Sequence, residues 1–166
     1  MKRFAALLAL ALPLGGCGLQ PLYTAGGAGP VAQALGQVEV APIEGKSGWL
    51  VANALRDRFG EGGRQTARYR LDVKLDDKII GLAVRSDNSV TRERRTLRAR
   101  YQLVALDTGT VVLDATAGSD AGIDVVTSEY ATIAAESTAL ERLSDIVADQ
   151  IVARVALYAR NESARK

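Results

Sequence analysis

The chain has 166 residues, enough for one domain with a core, and 21 Lys and Arg residues nearly balance 19 Asp and Glu residues. This balance gives no support for a nucleic-acid partner. The sequence has no histidine, which excludes the usual general base, the Ser-His-Asp and Cys-His nucleophile arrangements and most zinc sites. Asp76-Asp77 is the only adjacent acidic pair, and neighbours on a strand point to opposite faces. We therefore predict a non-enzyme without a cofactor or a metal.

The N-terminus has the pattern of a lipoprotein signal peptide. Lys2 and Arg3 precede the uncharged apolar run from Phe4 to Leu14, which is shorter than the roughly 20 residues that a spanning helix needs. The run ends in a Leu-Gly-Gly-Cys sequence that resembles a lipobox, and Cys17 is the only cysteine. An ordinary signal peptide with a chance cysteine is the alternative. We predict cleavage after residues 1–16 and attachment of diacylglycerol and palmitate to Cys17, because several acyl chains anchor a protein stably.

Residues 17–36 are predicted to form a lipidated flexible tether, because Gly18 to Gly36 is uncharged and rich in Gly, Ala and Pro. A single α+β domain is then predicted over residues 37–160. It begins with a short strand over Gln37–Ile43. A helix capped by Ser47 follows over Gly48–Phe59.

Three further strands are predicted from apolar and polar residues that alternate. They cover Arg68–Asp76, Arg92–Ala105 and Val111–Ala117, with a turn at residues 107–109 (Asp-Thr-Gly) before the last strand. A final helix is expected from the cap Ser128 to about residue 159, followed by a polar tail over residues 161–166. The fold predicted is a two-layer α+β sandwich, with two helices packed on one face of a four-stranded, mainly antiparallel sheet.

If the helices cover one face of the sheet, the polar residues of the alternating strands lie on the other. Seven cations and only two acids, Asp72 and Asp76, are assigned to that face, so it is predicted to be basic. Guanidinium groups bind phosphate bidentately, and a phosphorylated lipid head group is a fitting ligand. The alternative is a solvated sheet face without a ligand. The candidate anion-binding residues are Arg68, Arg70, Lys74, Arg92, Arg94, Arg98 and Arg100.

Several segments together resemble the LptE family of lipopolysaccharide-assembly lipoproteins, in the form found in alphaproteobacteria. The sequence from Cys17 to Tyr23 (CGLQPLY) is similar to the start of the mature proteins of this family. The segments Ile43–Leu55 and Ala99–Leu103, the latter preceded by a Thr-Arg pair, resemble its first strand-to-helix junction and its central strands. Residues 128–136 resemble the opening of its last helix.

The resemblance implies a lipid-anchored outer-membrane protein that faces the periplasm and plugs the β-barrel of LptD. It also implies that the pair inserts lipopolysaccharide into the outer leaflet, and that the fold is two helices on four strands. Gly18 after the cysteine, in place of Asp, is consistent with outer-membrane sorting. The alternatives are a lipid-binding lipoprotein without a barrel partner, an auxiliary lipoprotein of an ABC transport complex, and a hydrolase, which the missing histidine disfavours.

Replacing Arg98 and Arg100 together by Glu is expected to weaken binding of lipid A phosphates without unfolding the domain, because the change reverses two charges on the predicted basic face. Binding of lipid A to the purified variant measures the effect, and circular dichroism checks its fold. Unchanged affinity in a folded double variant would contradict the prediction.

Overall fold

The computed structural model describes residues 29–60, 67–84 and 90–163. The predicted signal peptide, Cys17, most of the predicted tether and the residues between the second and third strands lie outside these ranges. The described elements, in chain order, are α1 (Pro30–Leu35), β1 (Val38–Val40), α2 (Gly45–Phe59), β2 (Tyr69–Val84), β3 (Val90–Ala105), β4 (Val111–Asp124) and α3 (Glu129–Ser163).

The four strands form one sheet in the order β1-β2-β3-β4. β1 runs parallel to β2 and is joined to it through α2, since parallel neighbours need a crossover connection. β2, β3 and β4 pair antiparallel. The predicted α+β class and mainly antiparallel four-stranded sheet are confirmed.

Two strands are longer than their sequence patterns indicated. β2 continues to Val84 rather than ending at Asp76, and β4 continues to Asp124 rather than Ala117. The alternation fails in β2 because Asp77 occupies an inward position, where its carboxylate pairs with Arg95 of β3 at 2.7 Å. In β4 the second half is rich in Gly and Ala, which are poor strand formers, and the ladder to β3 holds it in place.

The first helix corrects the predicted tether. Residues 30–35 lie in the segment assigned to that tether, yet they form α1, which begins with Pro30 at its first turn. Leu35 is only 2% exposed and belongs to the core. The folded domain therefore begins before residue 37, and it has three helices rather than two.

The other helices differ from their predicted limits at one end each. α2 begins at Gly45 and is preceded by Glu44, so Ser47 lies inside the helix and is not its cap. α3 has the predicted start, with the Ser128 hydroxyl accepting a hydrogen bond from the Ala131 amide at 3.4 Å. It continues to Ser163, which includes the first half of the predicted polar tail.

The helices pack on one face of the sheet. α2 and α3 run parallel, since Lys46 donates to Ser137 at 2.9 Å near their starts and Arg58 donates to Asp149 at 2.6 Å farther along. Leu143 and Val147 of α3 meet Leu55 of α2 and the inward Tyr101 of β3 in the core. At the end of α3, the ring of Tyr158 contacts Tyr69 edge to face, with 6.1 Å between centroids. Within the described ranges, no helix is both long enough and apolar enough to cross a membrane.

Replacing Leu143, which is 1% exposed, by Ala is expected to lower the free energy of unfolding by about 2–5 kcal/mol, because it leaves a cavity beneath α3. The matched control is Ile133→Ala in the same helix, where the side chain is 55% exposed and the change is expected to stay within about 0.5 kcal/mol. Urea unfolding measures both, and equal losses would contradict this assignment of the core.

Candidate anion-binding face

The side of the sheet that turns away from the helices is called the outer face here. Its polar side chains come from alternate residues of β2, β3 and β4, because successive side chains of a strand point to opposite sides. The register places Lys74 directly opposite Arg100 and Asp76 opposite Arg98. On the other side of β3, Arg100 lies opposite Thr116 and Arg98 opposite Gly118.

The seven candidate cations spread along the whole outer face rather than forming one site. Lys74, Arg98 and Arg100 lie together near its middle, whereas Arg92 and Arg94 lie farther along β3, near the end of β4. Arg70 lies near the start of β2. Arg68 precedes β2, where its backbone bonds to Gln37 and Leu106, and its side chain is exposed.

The outer face is less positive than the sequence predicted. β4 contributes three aspartates that the sequence count left out, and each forms a salt bridge with a candidate arginine. The nitrogen–oxygen distances are 3.1 Å each for Arg92–Asp124, Arg98–Asp120 and Arg100–Asp114. Arg70 pairs with Asp72 at 2.9 Å. Of the seven candidates, Arg68, Lys74 and Arg94 form no salt bridge with another described residue.

A shallow depression of about 510 Å³ lies at the centre of the outer face. Glycine at residue 118 lets the Arg98 side chain lie across β4 there, because a Cβ would be 2.5 Å from the Cδ atom and 2.8 Å from the Nη1 atom of Arg98. Gln150 of α3 bonds the backbone of Gly118 twice, accepting from its N–H at 2.9 Å and donating to its carbonyl at 3.3 Å. The polar side chains around the depression belong to Lys74, Asp76, Arg98, Arg100, Thr116 and Gln150.

The two β4 aspartates that bind Arg98 and Arg100 are stabilised in their charged form. Asp120 accepts hydrogen bonds from the Thr96 hydroxyl at 2.6 Å and from Arg98, and these bonds lower its pKa below the ordinary value of 3.8. Arg100 at 3.1 Å and Gln102 at 2.8 Å bind Asp114 and lower its pKa in the same way. Both carboxylates are therefore charged at neutral pH.

The inward Arg95 is excluded from the candidate site by its surroundings. Its guanidinium is bonded twice to Asp77, at 2.9 and 2.7 Å, and donates to the carbonyl of Glu136 in α3 at 3.0 Å. Only 13% of the Arg95 side chain and 20% of the Asp77 side chain are exposed. This pair ties the sheet to α3 and lies on the side of the sheet that faces the helices, away from the outer face.

Sequence reasoning missed Thr116, Gly118, Asp114, Asp120 and Gln150 at the depression. The four β4 residues among them occupy alternate positions, 114, 116, 118 and 120, and so lie on one face of the strand. Extending the predicted alternation beyond Ala117 would have placed Gly118 and Asp120 on the outer face. No sequence signal indicated Gln150, because its place depends on how α3 packs along the edge of β4. In the described part of the chain, no group of three or more acidic or cysteine side chains is arranged to hold a metal ion.

Replacing Thr96 by Val is expected to raise the pKa of Asp120, because it removes the strongest hydrogen bond that favours the carboxylate. Since the folded-state pKa is lowered, the stabilisation by Asp120 is complete at neutral pH and is lost as the pH falls through that lowered value, below 3.8. The variant should lose part of this acid dependence. Carboxyl NMR titration measures the pKa of Asp120, and Thr116→Val is the control. Equal pKa values of Asp120 in the two variants would count against this role of Thr96.

Comparison with known proteins places this fold in a family. The family model described as LptE, lipopolysaccharide-assembly, matches residues 35–155. No curated protein matches the chain by sequence.

Three solved structures of lipoproteins share the fold. A putative lipoprotein from Caulobacter crescentus is 23% identical, with a TM-score of 0.68 over 81% of this chain and 98% of that one. A minor lipoprotein from Acinetobacter baumannii is 16% identical, with a TM-score of 0.57 over 73% of this chain and 91% of that one. Rare lipoprotein B from Shewanella oneidensis is 11% identical, with a TM-score of 0.57 over 76% and 96%. Because the family model covers most of the folded domain, the chain belongs to the LptE family of lipopolysaccharide-assembly proteins.

Proposed function

We propose that this protein is an outer-membrane lipoprotein that assembles with an LptD-type β-barrel, plugs it, and helps to insert lipopolysaccharide into the outer leaflet. The observation that carries the proposal is the match of the LptE family model to residues 35–155, which include the whole sheet and nearly all of the core. The role is structural and binding, not catalytic.

The proposed anchor is Cys17, which precedes the described residues. Eleven residues, 18–28, separate the cysteine from the first described residue, Gly29, so twelve Cα–Cα steps join the two. At about 3.3 Å per residue, this segment reaches up to about 40 Å when extended. The lipids would therefore hold the domain near the membrane surface and still leave it room to enter a barrel.

The proposed contact with lipopolysaccharide is the central depression rather than the whole row of seven cations. Lys74 has no salt bridge to another described residue. It lies on β2 directly opposite Arg100 of β3, and Arg98 is two residues from Arg100 on that same strand. Three cations from two adjacent strands can surround one phosphate, with guanidinium groups supplying bidentate hydrogen bonds. The outlying cations contribute to the general potential of the face.

A shuttle that carries a lipid without a barrel partner has less support. Such a protein needs an apolar cavity, and ligand cavities usually have about 300–1,000 Å³. The cavity between α1, the start of β2 and the end of α3 has about 90 Å³, which is enough for one small side chain. The larger depression on the outer face has four charged side chains in its lining, those of Lys74, Asp76, Arg98 and Arg100, which an acyl chain would have to pass.

Affinity purification of the tagged full chain from its native membrane in mild detergent tests the partnership. We expect a large outer-membrane β-barrel to co-purify in about a one-to-one ratio, because a plug is buried within its barrel. An unrelated tagged outer-membrane lipoprotein, purified in parallel, is the control for carry-over of membrane. Absence of the barrel, or equal recovery with the control, would contradict the proposed function.

A further inference from the structure

The two arginines at the central depression are drawn apart by aspartates of the neighbouring strand. Arg98 lies opposite Gly118 but extends to Asp120, two residues farther along β4. Arg100 lies opposite Thr116 but extends to Asp114, two residues in the other direction. The guanidinium groups are therefore held on opposite sides of the depression.

The arrangement also relieves a repulsion between strands. Lys74 and Arg100 occupy directly opposed positions on β2 and β3, and like charges in such positions are destabilising. Asp114 compensates by binding Arg100 at 3.1 and 3.4 Å on the side away from β2. An anion seated in the depression would give the same relief, so it and the aspartates compete for the same guanidinium donors.

We propose that Asp114 and Asp120 act as internal competitors that restrict the depression to phosphomonoester dianions and keep carboxylates out. This inference rests on the anion site of the proposed function, and it adds which anions that site accepts. In the occupied state, Arg98 and Arg100 leave the two aspartates and turn toward the ligand between them, where Lys74 adds a third cation.

The selectivity follows from the chemistry of the exchange. A ligand carboxylate has the same charge as the aspartate carboxylate that it would replace. Its bonds to the arginines would therefore be no stronger than those lost, and binding it would still cost the free energy of association. A phosphomonoester carries about −1.5 to −2 charges and three strong acceptor oxygens, so it can bind two guanidinium groups at once. The lowered pKa of Asp114 and the raised pKa of Arg100, each caused by the other's hydrogen bonds, keep this pair charged at neutral pH.

The test compares the full chain in a zwitterionic detergent with its Asp114→Asn/Asp120→Asn variant, using methyl phosphate and acetate as probes. Shifts of the Thr116 and Gly118 amide signals in NMR titrations at constant ionic strength give the affinities. Each exposed ion pair is typically worth a factor of about 1.5–5. We expect the variant to bind methyl phosphate about 2–30-fold more tightly, and to bind acetate, which the unaltered chain excludes.

The matched control is Asp57→Asn/Asp124→Asn, which makes the same change in net charge. Asp57 is on α2, and Asp124 is six residues from Gly118, about 20 Å along the strand and beyond the screening length of about 8 Å at physiological salt. Binding by the control should equal that of the unaltered chain.

Two results would contradict the proposed competition by Asp114 and Asp120, and a third would contradict the anion site. If methyl phosphate binds all three proteins equally, or if the unaltered chain already binds acetate as well as it binds methyl phosphate, the aspartates do not select the ligand and the anion site remains. If methyl phosphate shifts neither amide in any of the three proteins, the anion site itself is wrong. Thermal unfolding of each variant establishes that the sheet is intact during the titrations.

Discussion

The long antiparallel ladder between β2 and β3 is the constraint on which the rest of the domain depends. Its register runs from Tyr69 opposite Ala105 to Val84 opposite Val90, with irregularities only near Gly81. A shift of one residue would exchange the two faces, placing Leu71 in water and charged residues beneath α3. The same register therefore determines both the apolar layer that binds the helices and the rows of charge on the outer face.

Much of this arrangement could be predicted from residue patterns, and the exceptions have physical causes. Strict alternation identified the middle of β2 and β3 and the outward direction of Arg98 and Arg100. It failed at Asp77, since the inward carboxylate is paired with Arg95, whose guanidinium also donates to the Glu136 carbonyl of a helix that is remote in sequence. It missed α1 because Pro30–Leu35 is short and uncharged, and its helical state depends on burial of Leu35 against the core.

The outer face shows the same limit for function. Counting charges on two strands predicted a basic surface, but charge on a sheet is shared across all of its strands. The aspartates of β4 pair with the arginines of β3 because their positions are adjacent in space, not because their spacing in the chain indicates it. The anchor at Cys17 lies outside the described residues and stays a prediction from the signal sequence alone.

The two hydrogen bonds between Gln150 and Gly118 have a consequence for solubility. β4 is an edge strand, and unpaired backbone groups at an edge invite strands of other molecules to pair, which leads to aggregation. The Gln150 carboxamide offers one donor and one acceptor to Gly118, as the backbone of a fifth strand would. A foreign strand extending along β4 would have to displace this side chain and lift α3 from the edge. The helix thus covers this point of the sheet edge against pairing with a second strand.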